Sequence, residues 1–447
     1  MKCAICRNGV TQKGRITVVL EKDETTLVCK HLPAEVCENC GEEFVSSDTN
    51  RELLAKAKEA LQRGVDLEML RFAAKHECLQ EILIQAEPLK RLVTAILIKG
   101  GSSDEEAQVV ADHLVRSNLA GHDSHGVGML QLYVRMLKEE LLKPNQKPKL
   151  VKADGSILMF DGQRGYGQAV GKMAMERAIE KCRESGLVLM TLRNTHHLGR
   201  IGTYGEQSIA SGMVSLHFVN VTDHPPLVAP FRGSDARFST NPICLAMPGT
   251  EKQAPVLLDM ATSRIALGKA RVALNKDEAL KDGLVIDHKG HPSTDPAVMA
   301  GYLFPERPDN PPLGALTPLG EYKGYGLALF CELLGGLLSG GGTIQPEHQR
   351  QNSIINNMFT LLIDPARLVD VPWLQHEVEA IVAYAKASPP ANPEEPVLIA
   401  GDPERNSKKE RQRQGIPIDD ATWEQILEGG ETLGLTRDEM LNNLQNS

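Results

Sequence analysis

Two adjacent histidines, His196 and His197, lie in the stretch Arg193-Asn194-Thr195-His196-His197-Leu198-Gly199-Arg200-Ile201-Gly202. Imidazole exchanges a proton readily near neutral pH, and the glycines that follow let backbone and ligand approach closely. A proton-transfer centre is one reading of the pair, and solvated or capping imidazoles is the other; the stretch alone weighs them evenly. A second constellation is Gly121-His122-Asp123-Ser124-His125-Gly126, where two glycines bracket a turn that would present a hydroxyl and an imidazole to a ligand. Metal binding by His122 and His125 lacks an HExxH pattern and an evident third ligand. The chain opens with Cys3-x-x-Cys6 and carries Cys37-x-x-Cys40 further on, two knuckles whose four thiolates suit one tetrahedral zinc ion.

The elements that must position these groups follow from periodicity. The apolar run Gly186 to Leu192 reads as a buried strand feeding the histidine pair, with a helix beginning near Tyr204. Before it come short strands within residues 149–162 and a helix from about Gln168 to Ser185, so strand, helix and strand alternate as in an α/β layer. Leu89, Leu92, Val93, Ile96 and Leu97 form one helix stopped at Gly100-Gly101. Ser103-x-x-Glu106 is a capping box opening the next. Tyr133 and Arg135 fall on the helix after the Ser124-His125 turn. The strand Met213 to Asn220 carries His217, read as a strand residue. Polar groups end the apolar runs at Thr240-Asn241-Pro242 and Leu257-Leu258-Asp259-Met260-Ala261, where α/β folds commonly bind ligands, although Asp259 alone reads better as a helix cap. A proline-rich loop is expected over 301–320, then a helix from Glu321 with Lys323 at its start. Gly335 to Gly342 lacks the Lys-Ser/Thr ending of a phosphate loop and reads as a packing or mobile segment, and Asn356 and Asn357 precede a strand over 358–363. Helices are expected from about Gln375 and Asp420, with a solvated basic run, Lys408 to Arg413, between them.

At the N-terminus the β-prone runs Arg15–Leu20 and Thr25–Val28 flank a turn at Lys22-Asp23-Glu24, a hairpin between the two knuckles, with Cys29 as a strand residue and not a fifth ligand. Leu53, Leu54, Ala57 and Leu61 then suggest a helical connector. The organisation is a β-rich zinc ribbon over 1–46, a connector over 47–85 and a large α/β domain over 86–447. At 447 residues the chain can bury a large core, and its net charge of −9 argues against nucleic acid or an anionic membrane as partner. No signal peptide or membrane span is evident, and nine cysteines with two close pairs suit a reducing compartment, so a cytoplasmic protein is expected. A GxGxxG fingerprint between strand and helix is absent, which leaves a standard Rossmann assignment unsupported.

The segment through Pro33-Ala34-Glu35-Val36-Cys37-Glu38-Asn39-Cys40-Gly41-Glu42-Glu43-Phe44 resembles the YgiT-type zinc finger of certain antitoxins, over about residues 1–75. That resemblance implies a structural zinc. Five ordered motifs, Gly121 to Gly126, Asn194 to Gly199, Thr240-Asn241-Pro242, Leu258 to Ser263 and Lys323-Gly324-Tyr325-Gly326, resemble the malate/L-lactate/ureidoglycolate dehydrogenase family over about 86–447. The resemblance implies a non-Rossmann α/β domain with a mixed sheet, NAD or NADP as cofactor, a 2-hydroxy acid/2-keto acid pair as substrate, and a homodimer. It implies His197 as the catalytic acid/base. Cofactor contacts carried over are His125, Gly199, Arg200, Ile201, Leu257, Leu258, Asp259, Met260, Ala261, Tyr322, Asn356, Gly401, Asp402, Pro403 and Glu404. Met129 stands where many relatives have an arginine, and Ala400-Gly401-Asp402 where they often have Pro-Gly-Glu. Arg200 and Arg135 are therefore the candidate partners of the substrate carboxylate, since a guanidinium binds a carboxylate bidentately. Competing expectations are a zinc-finger regulator with an inactive large domain, and a metal hydrolase built on His122, His125 and His197.

Overall fold

A computed structural model of the chain describes all residues except 1, 4, 7–8, 23–24, 48, 52, 55–56, 58–66, 72–81, 277, 304–308, 349 and 446–447. The expected turn at Asp23-Glu24, and Leu61, Pro305 and Pro308, lie outside the described residues. The chain divides into two compact units, Met1–Gln80 and Glu81–Ser447.

In the first unit, strands β1 (Thr11–Lys22) and β2 (Thr25–Cys37) form the expected antiparallel hairpin, with Thr11 opposite Cys37. β3 (Glu43–Phe44) and β4 (Leu67–Arg71) line the other edge of β2, the first antiparallel and the second parallel. Cys29 is fully buried with Ile16, Leu32, Ala34 and Leu53, so it is a core residue as expected. The helical connector expected over 47–85 is only partly helical. Described positions between 47 and 57 are helical, but 67–71 is a strand because the backbone of β2 from Thr26 to Lys30 offers an unpaired edge, and such tertiary pairing overrides local propensity.

The second unit begins with β5 (Ile82–Ile84), α1 (Ala86–Lys99) and α2 (Asp104–Leu119). Ser103 Oγ accepts from Glu106 N at 3.3 Å, while the Glu106 carboxylate turns to Ser102 Oγ and Asn145 N, so half of the expected capping box forms. Two short 3-10 turns, Asp123–His125 and Val127–Met129, lead into α3 (Leu130–Lys138). Next come β6 (Lys149–Asp154), β7 (Ile157–Asp161), α4 (Gly167–Ser185), β8 (Leu187–His196), α5 (Gly202–Ile209), β9 (Val214–Thr222), β10 (Ile243–Met247) and β11 (Val256–Met260). α6 (Leu267–Lys276), β12 (Val285–Ile286), β13 (Pro292–Ser293), α7 (Ala300–Leu303) and β14 (Ala315–Leu316) form a small subsidiary layer, so the segment expected to be a structureless proline loop contains a helical turn and a strand. α8 (Tyr322–Cys331) continues as a π-helical turn, Glu332–Leu337. β15 (Ile355–Ile363), α9 (Val371–Lys386), α10 (Asp402–Gln414), β16 (Ile416–Ile418), α11 (Asp420–Thr432) and α12 (Arg437–Gln445) complete the chain.

Seven strands make one sheet in the order β11-β10-β9-β15-β8-β7-β6. Only β7 and β8 run parallel, as their connection through α4 allows; the other pairs are antiparallel, giving a mixed sheet. β8 runs further than the apolar run suggested, because β15 pairs with it as far as Ile355 opposite His196. Asn356 and Asn357 consequently sit inside β15 and not before it. α4 and α5 cover one face, burying Val170, Ala174, Ala178, Met190, Leu192 and Tyr204 in a common core. The other face is apolar too. Leu258, Leu245, Leu216, Leu361, Leu189 and Ile157 fall in register across six strands, and the outer two residues at each end include exposed leucines and an isoleucine.

Candidate active site

β8 ends in the histidine pair, and three backbone hydrogen bonds fix the turn. Asn194 N donates to Asn357 Oδ1 (2.8 Å), His196 N to the Gly165 carbonyl (3.0 Å) and Leu198 N to Asn356 Oδ1 (2.8 Å). The two imidazoles then part company. His196 is fully buried edge-on to the Tyr133 ring, with neither ring nitrogen hydrogen bonded, and burial lowers its pKa to about 3. His197 Nδ1 lies 2.7 Å from Tyr133 Oη, which lies 2.7 Å from Gln168 Nε2. Its ring stacks on that of His125, with centroids 5.6 Å apart and planes 18° apart. Burial, followed by the nearby His125, His196 and His113, holds the His197 pKa well below its usual range. His125 is lowered to about 4, chiefly by burial and then by His122 and Arg200, so at neutral pH both stacked rings are neutral and His197 is in the form that accepts a proton.

The turn after His197 is clamped from three sides. Gly199 adopts φ +72°, and a side chain there would strike the His113 ring, whose Nε2 accepts from Arg200 N at 3.0 Å. The Arg200 side chain is buried; Nη1 donates to Glu206 Oε1 (2.7 Å), and Nε lies 3.5 Å from Asp259 Oδ2. Asp259 also accepts from Gly202 N (2.8 Å), so it does cap a helix, but that of α5 and not one of its own. Burial raises the Asp259 pKa, and Arg200 opposes the rise. With its charge matched by two carboxylates, Arg200 clamps the turn, while its Nη2 is buried with no hydrogen-bond partner among the described residues. Arg135, in contrast, is exposed on α3 with no ion pair among the described residues.

Leu257 N donates to the Ala400 carbonyl, which sets the first residues of β11 beside the Gly401 turn; by strand register Leu257 aligns with Val188, at the far end of β8 from His196. Glu404 Oε1 meets His122 Nε2 at 3.2 Å, so His122 is engaged by a carboxylate. Asp402 pairs with Lys386 and Arg405, which lower its pKa to about 2 against the opposing effect of burial. Arg411, expected to be solvated, instead grips Asp123 with both terminal nitrogens and so pins the His122–His125 turn. Asn356 is buried and holds the His197 loop from behind. Tyr322 is exposed at the start of α8 against Phe231, and no contact among the described residues joins it to His197.

Behind the loop runs a buried polar chain. Glu332, in the π-helical turn, accepts from Asn220 Nδ2 (2.9 Å), Asn241 Nδ2 (2.8 Å) and Ile344 N (2.9 Å). Asn220 Oδ1 accepts from Asn357 Nδ2 (3.0 Å), and Asn357 Oδ1 holds Asn194 N. Burial raises the Glu332 pKa. The glycine run that follows fits the expected packing role, since a side chain at Gly341 would stand 2.0 Å from Asn357 Oδ1. Two polar clefts of about 290 and 380 Å³ meet at Arg164 and Asn194, beside this chain.

In the first unit, the ligand atoms of Cys3, Cys6, Cys37 and Cys40 all lie within 4.8 Å of one another. Gly9 N donates to Cys6 Sγ at 3.3 Å, a bond that favours a thiolate. Sequence reasoning missed Gln168, His113, Glu206 and Glu332, and gave Tyr133 no role. Nothing in their local pattern separates them from core or helix-surface residues; a polar residue opening an otherwise buried helix, as Gln168 does, was the one available signal.

The family described as malate/L-lactate dehydrogenase matches residues 84–427; residues 1–83 lie outside that match. Hydroxycarboxylate dehydrogenase B of Escherichia coli (strain K12) is 43% identical over 352 residues, 78% of this chain and 94% of that protein. The L-lactate dehydrogenase of Cupriavidus necator is 41% identical over 329 residues, 74% of this chain and 91% of that protein. Among solved structures, sulfolactate dehydrogenase from Methanocaldococcus jannaschii superposes with a TM-score of 0.68 at 32% identity, covering 80% of this chain and 99% of that one.

Proposed function

The chain belongs to the malate/L-lactate dehydrogenase family, and from that premise we propose that it moves a hydride between a 2-hydroxy acid and NAD or NADP, with His197 as the acid/base. The observation that carries the reading is the buried neutral imidazole of His197, backed by Tyr133 and stacked on His125. In oxidation the ring takes the proton of the 2-hydroxyl, and in reduction it returns a proton to the keto oxygen.

The residues present fit a dinucleotide. Gly199 and Gly401 both open the backbone in the left-handed region, and the Gly401 turn leads into the N-terminus of α10, where the Asp402 and Glu404 carboxylates can accept from ribose hydroxyls. His125, Gly199–Ile201, Leu257–Ala261 and Gly401–Glu404 would hold it, with Tyr322 at the margin and Asn356 acting through the loop. When bound, the nicotinamide supplies the hydride acceptor. Arg135, exposed and without an ion pair among the described residues, is the guanidinium we favour for the substrate carboxylate, with the unpartnered Nη2 of Arg200 as the other candidate.

The second copy in a homodimer would cover the apolar sheet face and the exposed Phe330, Leu333 and Leu337 beside it. The four-cysteine cluster would hold a structural zinc in a YgiT-type ribbon. No helix among the described residues is long and apolar enough to cross a membrane.

The test is nicotinamide absorbance at saturating NADH or NADPH with a panel of 2-keto acids, run on the wild type and on His197→Ala. The variant is expected to lose at least about 100-fold in turnover while still binding cofactor. Near-normal turnover would remove His197 from the role, and inactivity of the wild type with every keto acid would turn the reading towards a binding protein.

A further inference from the structure

His197 has two ring nitrogens, and only one can exchange a proton with substrate. Nδ1 is occupied by Tyr133, since the two atoms stand 2.7 Å apart in a fully buried contact, which leaves Nε2 for the substrate. A neutral imidazole can accept a proton at Nε2 only if its own hydrogen is on Nδ1. Tyr133 must then accept from Nδ1–H, and its hydroxyl hydrogen must go to another acceptor. Gln168 is the only other hydrogen-bond partner of that hydroxyl among the described residues.

With Gln168 Nε2 donating to Tyr133, the hydroxyl would have to give its hydrogen to His197, which would place the ring hydrogen on Nε2 and disable the base. The other end of the amide is buried without a hydrogen-bond partner, so it does not fix the orientation, and the choice rests on the hydroxyl. Amide oxygen and nitrogen are interchangeable in shape, and the hydrogen-bond network decides between them. Turning the amide by 180° makes the same 2.7 Å contact a hydrogen bond from Tyr133 to the Gln168 carbonyl.

We propose that Tyr133 and Gln168 are positioning residues that fix the tautomer of His197, in the order His197 Nδ1–H to Tyr133 Oη, and Tyr133 O–H to Gln168 Oε1. The proposal rests on His197 being the acid/base. The order holds in both protonation states of the ring, because Nδ1 keeps its hydrogen throughout. Only Nε2 gains a proton from the 2-hydroxyl or returns one to the keto oxygen, so nothing behind the ring rearranges during turnover. Tyr133 reaches the ring from α3 and Gln168 from the first turn of α4, two rigid elements of the unit that carries the site.

The full-length protein tests this in two ways. In Tyr133→Phe, turnover should fall by at least about 10-fold with KM changed far less, and the pH profile of kcat/KM should move to lower pH because the imidazolium loses its Nδ1 acceptor. Gln168→Leu should move the profile in the same direction. Gln168→Glu, assayed above pH 8 where the added carboxylate can only accept, should keep most of the activity. A merely structural role would lower turnover and leave the profile in place, and that outcome, or a Gln168→Glu protein as impaired as Gln168→Leu, overturns the proposal. Independently of turnover, 15N spectra of ring-labelled histidine, with the His197 signals assigned by their loss in His197→Gln, should show the hydrogen on Nδ1. A hydrogen on Nε2 overturns the proposal even if His197 proves essential. A fully active His197→Ala enzyme removes the acid/base reading itself, and the spectra then still decide whether the hydrogen-bond order is right.

Discussion

A guanidinium beside the proposed acid/base histidine invites assignment to the substrate, and Arg200 shows why its surroundings must be read first. It is 2% exposed, with Glu206 on one side and Asp259 on the other. Removing it would leave Asp259 buried without its cation. Arg200→Met is therefore expected to destabilise the protein by on the order of 3 kcal/mol, read from chemical denaturation. A variant of wild-type stability whose only defect is a raised KM for the acid would return Arg200 to the substrate. His197 is a contrasting case: Tyr133 and His125 leave its Nε2 without a hydrogen-bond partner among the described residues, and on the proposed role the cost of its loss is chemical instead of structural.

At the scale of elements, the buried histidines set the acid limit of the fold. Burial lowers the pKa of His113 and His217 to about 3, as it does His196, and His125 falls to about 4. His217 is a satisfied core group, bonded to Ser215 and Thr360 between β9 and β15. Each is neutral in the folded state but protonates near 6.5 when unfolded. Below pH 6.5 the unfolded chain thus binds more protons, so stability falls as pH drops and continues to fall until about pH 3. Denaturant midpoints measured from pH 7 to pH 4 should decline steadily, and a flat midpoint would show these rings to be solvated. Much of this element layer was legible beforehand. The apolar runs located β7, β8, β9 and β15, Ser103 located the start of α2, and the lack of a glycine fingerprint left the common dinucleotide fold without support. What periodicity could not reveal was pairing across the chain. β8 extends into the histidine motif because β15 lies against it, β4 forms because β2 has an open edge, and Arg411 reaches Asp123 from nearly three hundred residues away. The roles of Tyr133 and Gln168 were hidden for the same reason, since each acquires meaning only when helices distant in sequence converge on one ring.

For the whole molecule, the two units are expected to respond separately to perturbation. Chelation of zinc, or Cys37→Ser, should unfold residues 1–80 as seen by proteolysis and leave keto-acid reduction intact; loss of both together would tie the ribbon to catalysis. The open face of the sheet makes a second demand. A carboxylate at Leu361, near the middle of the aliphatic row, is expected to give a monomer in sedimentation velocity, whereas an unchanged dimer would place the contact elsewhere.

The chain of Asn194, Asn357, Asn220 and Glu332 carries one more implication, for how this sequence can vary over generations. Gly336 and Gly341 lie against the side chains of Asn220 and Asn357, with no room for even a methyl group. A mutation at either would displace an asparagine of the chain that steadies the His197 turn. Selection would therefore treat these glycines as strictly as residues of the active site, and their intolerance to change would mark a supporting wall behind the reaction, not a second place where ligands bind.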